Sequence, residues 1–126
     1  PIWTKMEYNV EVPIYVQVVR DIKKRIVRKQ LLPGEKLPSN RELAVLYKVN
    51  PNTAARIYKE MEAEGYCYTK RGLGTFITED EQMQEELRKE MAEALLKGFL
   101  KEMKDLGFGR EEIISRIEHF DEEEEV

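Results

Sequence analysis

Apolar residues return every three or four positions through most of this chain, and the interruptions fall where turns are needed. Ile14, Val18, Ile22 and Ile26 keep a four-residue spacing, widened into a stripe by Tyr15 and Val19. That is the core face of a helix, predicted to open at Pro13 and run to about Gln30. Leu32-Pro33-Gly34 turns the chain, and Lys36-Leu37-Pro38 is expected to form a short strand. Ser39-Asn40-Arg41-Glu42 has the spacing of a capping box, with Ser39 as N-cap and Glu42 reaching back to it. The helix it starts is predicted over Asn40 to about Tyr47, burying Leu43, Ala44, Leu46 and Tyr47. Only Lys48-Val49 precedes the next helix start. There Asn50 can accept from the unpaired N–H groups of a first turn, and Pro51 fits the first helical position. Ala54, Ile57, Tyr58 and Met61 follow at i, i+3, i+4 and i+7, with Gly65 as the stop.

Past Gly65 the period shortens. Cys67-Tyr68-Thr69-Lys70 and Thr75-Phe76-Ile77-Thr78 read as strands joined by the Gly-rich turn Arg71-Gly72-Leu73-Gly74. From Glu79 to about Leu106 a helical period resumes, with Met83, Leu87, Met91, Leu95, Phe99, Met103 and Leu106 on one stripe. Gly107-Phe108-Gly109 breaks it, and Arg110 to Phe120 forms another helix using Ile113, Ile114, Ile117 and Phe120. The predicted fold is mainly α with a small β-hairpin (α+β). It consists of a winged helix-turn-helix over residues 1–78, then a C-terminal helical hairpin with an acidic tail over 79–126.

Two helices joined so tightly form a helix-turn-helix, whose second member enters the major groove, and a basic hairpin after it is a wing. Opposite its apolar face the second helix carries Asn52, Arg56 and Lys59, with Thr53 on the flank. Amide, hydroxyl and cation match base edges and phosphates. An isolated amphipathic surface helix would show the same face; helix, helix and wing in that order is a far rarer coincidence. Lys70, Arg71, Gly72, Gly74 and Thr75 are the wing positions expected to meet DNA.

Charge is uneven in a way the overall value of −4 conceals. Residues 1–78 hold 14 Lys and Arg against 8 Asp and Glu, a balance of +6; the remainder holds 7 against 17, or −10. A basic module can approach phosphates while an acidic appendage stays away. Most cations of the first helix, from Arg20 to Lys29, are read as a solvated face.

The motifs now resemble a known family. Leu32-Pro33-Gly34-Glu35-Lys36-Leu37-Pro38-Ser39-Asn40-Arg41-Glu42-Leu43-Ala44 is similar to the opening of the DNA-binding domain of GntR-family transcription regulators. Arg71-Gly72-Leu73-Gly74-Thr75-Phe76 resembles that family's wing, and Pro13-Ile14-Tyr15-Val16-Gln17 the start of its first helix. Asn50-Pro51-Asn52-Thr53, with Tyr58 and Glu62-Ala63-Glu64-Gly65, resembles the YtrA-type branch. The resemblance covers roughly Pro13 to Thr78. It implies that Arg41 contacts phosphate, that Thr53 contacts DNA, that Asn52 occupies a second contact position, and that Arg56 occupies a frequently basic one. Where most of the family carries two further arginines this chain has Pro51 and Ala55, so those contacts do not carry over.

A lone helix cannot leave the stripe beyond Thr78 in water, so a homodimer through Leu87, Met91, Leu95, Phe99, Met103, Ile113 and Ile117 is expected. YtrA-type regulators are similar in using a short helical C-terminal segment to dimerise. If a small-molecule effector exists, its identity unknown, Phe99, Met103 and Phe108 are expected to line a small crevice between winged domain and hairpin. Filling the dimer core is their plainer role.

Other chemistry finds little support. A single His and a single Cys do not make a metal cluster, so no metal is expected. His119 is read as exposed and Cys67 as a small core residue. The carboxylates lie on solvated helix faces without an apolar setting to raise a pKa, so neither an enzyme nor a cofactor is expected. One cysteine agrees with a reducing cytoplasm. No membrane span or signal peptide is expected, and the start Pro1-Ile2-Trp3 without methionine points to a removed initiator. The expected function is sequence-specific regulation, most simply repression, by a homodimer on a double-stranded inverted-repeat operator. The alternatives are a protein-docking winged helix and a non-specific architectural DNA binder.

Overall fold

A computed structural model describes Tyr8 and residues 10–121. The sequence also leads one to expect an arm with little structure over Pro1–Glu11 and a disordered tail over Asp121–Glu125; residues 1–7, 9 and 122–126 of these lie outside the described residues, whereas Tyr8 packs against the core and donates through its hydroxyl to the Tyr47 carbonyl. Helix α1 spans Ile14–Val27, and Pro13 stands just before it as N-cap, its carbonyl accepting from Val16 and Gln17 at 3.1 and 3.3 Å. Val18, Ile22 and Ile26 are buried, but Ile14, in the first turn, remains 46% exposed. The helix ends before Gln30. Lys29 takes a left-handed conformation at φ 63°, and the Gln30 N–H turns back to the Arg25 carbonyl at 2.9 Å. This closure, usual for glycine, is achieved here with a lysine.

Helix α2 spans Asn40–Tyr47, and its capping box forms as predicted: Glu42 N–H donates to Ser39 Oγ (3.1 Å) and Ser39 N–H to Glu42 Oε1 (2.9 Å). Its inward residues are Leu43, Ala44 and Tyr47; Leu46, expected inside, is 41% exposed. Leu43 and Tyr47 are one helical repeat apart and define the buried face, which turns Leu46 off it. Lys48, at φ 55°, makes the sharp turn into α3, Pro51–Ala63. Asn50 Oδ1 accepts from Thr53 N–H at 3.0 Å. At the far end Gly65 has φ 87°, and Tyr66 N–H closes on the Met61 carbonyl at 2.9 Å. A left-handed residue is needed there, and glycine takes it without strain. Ala54, Ile57, Tyr58 and Met61 bury as their spacing predicts, joining Val18, Ile22, Ile26 and Leu43 in one core.

Strands β1 (Cys67–Lys70) and β2 (Gly74–Ile77) pair antiparallel, with Tyr68 opposite Phe76 and Thr69 opposite Thr75. The expected strand before α2 is a single bridge, Lys36 to Phe76, flanked by Leu37 N–H to the Thr75 carbonyl at 2.7 Å. Helix α4 spans Glu81–Asp105 and α5 Arg110–His119. Asp80 caps α4, its Oδ1 accepting from Gln82 and Met83 N–H at 3.0 and 3.2 Å.

The chain divides into two compact units after Arg88, not after Thr78. The first turns of α4 belong to the winged unit: Leu87 and Gln84 are buried, and Gln84 Nε2 donates to the Thr78 carbonyl at 3.2 Å. In the second unit, Phe108 N–H closes α4 on the Met103 carbonyl, and the Glu112 carboxylate accepts from Gly109 N–H to start α5. Arg116 lies over the Phe108 ring, 4.8 Å from its centre. Leu95, Leu96, Phe99, Leu106, Ile114, Ile117 and Phe120 are exposed.

Candidate nucleic-acid interface

The outer face of α3 is built by the same bonds that fix its start. With Asn50 as cap and Pro51 at the first position, Asn52 falls in the first turn and is exposed, while Thr53 next to it is half-buried. Arg56 and Lys59 follow at i+4 and i+7 from Asn52, both exposed, so the three stand along one line. Arg56 is held on two sides. Its guanidinium lies 3.8 Å from the centre of the Tyr15 ring, and its Nε donates to Glu60 Oε1 at 3.2 Å. A cation over an aromatic face is attracted by the ring's negative π-cloud, which holds the guanidinium near Tyr15. The Glu60 bond uses Nε and does not call on the two terminal nitrogens.

Arg41 is exposed in the first turn of α2 and has no ion-pair partner among the described residues. Beside it the N-terminal N–H groups of α2 add partial positive charge, which suits an anion such as a phosphate. The Ser39 contacts hold the Glu42 carboxyl below the usual carboxylate range, so it stays ionised and keeps the cap closed.

In the wing, Lys70, Arg71 and Gly72 are exposed and Thr75 is half-buried. Tyr68 and Phe76 stack across the strands at 5.8 Å, and the Lys70 ammonium lies over both rings, at 5.7 and 5.4 Å. Glu62 of α3 accepts from Thr69 N–H at 2.8 Å and so couples wing to recognition helix. Gly74 has an internal reason to be glycine: its φ is 124°, and a Cβ would stand 2.8 Å from Lys36 Cε. Thr75 Oγ1 lies 3.3 Å from Thr69 Oγ1 across the ladder.

The ten residues expected to meet DNA thus fall on three neighbouring segments of one unit: the start of α2, the outer face of α3 and the wing. Sequence reading missed the Tyr15 platform, which it placed on the core stripe, and Lys36, whose chain runs under the wing. Spacing carries no signal for either, since both act across elements. Leu87 and Ile113, expected at a dimer contact, are each 2% exposed within the chain itself, so their side chains are already covered. Leu95, Phe99 and Ile117 are exposed, and Met91 and Met103 half-exposed.

Burial pushes the Cys67 thiol up to about 12, which keeps it protonated. Burial also raises Tyr58, whose hydroxyl donates to the Pro38 carbonyl at 2.6 Å and ties α3 to the segment before α2. His119 is exposed, its Nδ1 2.8 Å from the Ser115 carbonyl. No group of metal-ligating side chains occurs among the described residues, and no helix there is long and apolar enough to cross a membrane.

The family model for bacterial regulatory proteins of the gntR family matches residues 14–77. The chain belongs to the GntR family. It is 50% identical over 110 residues to the uncharacterized HTH-type transcriptional regulator YhcF of Bacillus subtilis, covering 87% of this chain and 91% of that one. With the HTH-type transcriptional repressor YtrA of Bacillus subtilis it shares 47% identity over 68 residues, 54% of this chain and 52% of the relative, which supports the YtrA-type branch. A solved GntR family transcriptional regulator from Listeria monocytogenes superposes with a TM-score of 0.84 at 38% identity, covering 90% of this chain and all of that one. The DNA-binding domain of AraR, solved with operator ORE1, matches 60% of this chain and 94% of its own, with a TM-score of 0.52 and 27% identity. The first three of these relatives are named as transcriptional regulators or repressors.

Proposed function

We propose that this GntR-family chain is a cytoplasmic repressor that binds an inverted-repeat DNA operator as a homodimer. The observation that carries this reading is the outer face of α3, where Asn52, Arg56 and Lys59 line up with the Arg56 guanidinium held over the Tyr15 ring. A guanidinium so oriented can present two donors to the O6 and N7 acceptors of a guanine, the commonest specific contact in the major groove. Asn52 and Thr53 supply amide and hydroxyl beside it. Arg41 neutralises a phosphate, which positions the protein without reading sequence. The wing, with Lys70 and Arg71 around the open Gly72, follows the backbone or minor groove.

Homodimerisation is supported by the second unit, where α4 and α5 expose Leu95, Leu96, Phe99, Ile114 and Ile117. Large apolar side chains at that density favour burial against a second copy. Repression is supported by the relative named as a repressor.

A gel shift of the full chain on its own upstream region, titrated with salt and unrelated competitor DNA, tests the reading. Binding that survives competitor and falls with salt is expected. Strong competition by unrelated DNA would favour an architectural binder; no binding at low salt would favour a protein-docking module.

A further inference from the structure

The wing ends in an apolar side chain that the fold does not use. Leu73 is 62% exposed and takes no part in the hydrophobic core. It stands in the turn between β1 and β2, a place where small and polar residues are usual. Its N–H donates to the Lys70 carbonyl at 2.9 Å and closes the turn. Gly72 and Gly74 flank it at φ 79° and 124°, so no adjacent side chain shields it. Lys70 and Arg71 come just before, and Arg71 is exposed with no ion-pair partner among the described residues. The five wing positions expected from sequence to meet DNA surround Leu73 without including it.

The two cations suit phosphates, but a leucine does not. An aliphatic side chain gains by leaving water against apolar atoms, and nothing by meeting a hydrated anion. On a duplex such atoms line the minor groove, whose walls are deoxyribose. At its floor an A·T pair places the adenine C2–H, where a G·C pair places the guanine amino group. That group fills the space a leucine would take, and covering it strips its water without returning a hydrogen bond. Apolar side chains are used in this way by proteins that bind the minor groove.

We infer that Leu73 enters the minor groove beside the α3 half-site and selects A·T over G·C pairs there. This rests on the DNA-binding reading and deepens it: α3 reads the major groove, and the wing adds an apolar readout of its own.

Inosine isolates the chemistry, because an I·C pair keeps the major-groove edge of G·C and lacks the amino group in the minor groove. Three versions of the footprinted operator, with A·T, G·C or I·C pairs bordering each half-site, are titrated with the full chain by fluorescence anisotropy. The parent should bind the A·T and I·C versions alike and the G·C version about tenfold more weakly, the scale of one unfavourable base pair. Leu73→Ser should lose that discrimination, with an unchanged urea midpoint because the side chain packs on nothing. Leu73→Lys should bind all three more tightly, without preference, and steepen the log K versus log salt slope by roughly 0.9. Equal penalties for G·C and I·C in the parent would overturn the inference. So would discrimination that survives in Leu73→Ser, or a salt slope that Leu73→Lys leaves unchanged. Each of these leaves operator binding intact and defeats the wing readout alone, whereas a parent that binds no duplex defeats the DNA-binding reading along with it.

Discussion

At the scale of single residues, Arg56 and Arg41 carry the same charge and are set up for different work. Arg56 is clamped between Tyr15 and Glu60, while Arg41 stands free at the start of α2. Arg56→Ala should therefore reduce the preference for operator over scrambled DNA by about 1–3 kcal/mol, the value of one bidentate base contact. Arg41→Ala should weaken both duplexes about equally and flatten the log K versus log salt slope by roughly 0.9. Tyr15→Leu should move discrimination in the direction of Arg56→Ala but less far, since the guanidinium stays and only its platform goes. Fluorescence anisotropy on both duplexes across a salt series measures all three. Equal losses on both duplexes for Arg56→Ala would shift base reading to Asn52 and Thr53. Gly74 belongs to a different class: Gly74→Ala should destabilise the protein by about 1–3 kcal/mol, because φ 124° strains any side chain, while the end of the Lys36 chain beside it can move aside. A urea midpoint unchanged by that substitution would show that the glycine is kept for DNA approach instead.

At the scale of elements, the helix starts were legible and some ends were not. Ser39 with Glu42, and Asn50 with Pro51, are local devices, so their chemistry can be read three residues at a time. The pH response of α2 follows from one of them. Glu42 has a folded pKa below its ordinary 4.5, so its stabilising contribution is complete above that value. It is lost as pH falls through the lower, folded pKa. Unfolding measured from pH 7 to 3 should show this acid loss in the parent protein and a smaller one in Ser39→Ala. That variant should also be about 0.5–2 kcal/mol less stable at neutral pH. An identical acid profile in both would remove the cap from the account. The end of α1 was misjudged because Lys29 supplies a left-handed turn that glycine normally signals. Leu46 was misjudged because α2 is too short for its apolar residues to define a face without the Leu43–Tyr47 contact surface. The Tyr15–Arg56 stack lies beyond any local reading, since its partners are far apart in sequence.

At the scale of the whole molecule, the winged unit extends past Thr78 and ends at Arg88. Sequence placed the boundary at the change of composition, but Gln84 reads as surface in a charged helix and is buried only because α4 starts on the winged core. A chain ending at Arg88 should fold as a monomer and bind a full operator much more weakly than the intact protein. A chain ending at Thr78 should be less stable than that one by about 1.5–3 kcal/mol, the worth of burying Leu87. Sedimentation and urea melts of the two truncations check both statements. A dimer from the chain ending at Arg88 would move the self-association surface into the winged unit.

In the proposed complex two copies place two α3 helices in successive major grooves of one operator. Hydroxyl-radical footprinting of the full chain on its upstream region tests it most directly. A two-fold dimer should give two symmetric protected patches with half-sites centred about 34–36 Å, one helical turn, apart. Protection should be lost from both patches together when Arg56 is replaced by alanine. A single asymmetric patch, bound by one protomer and unaffected by that substitution, would contradict it.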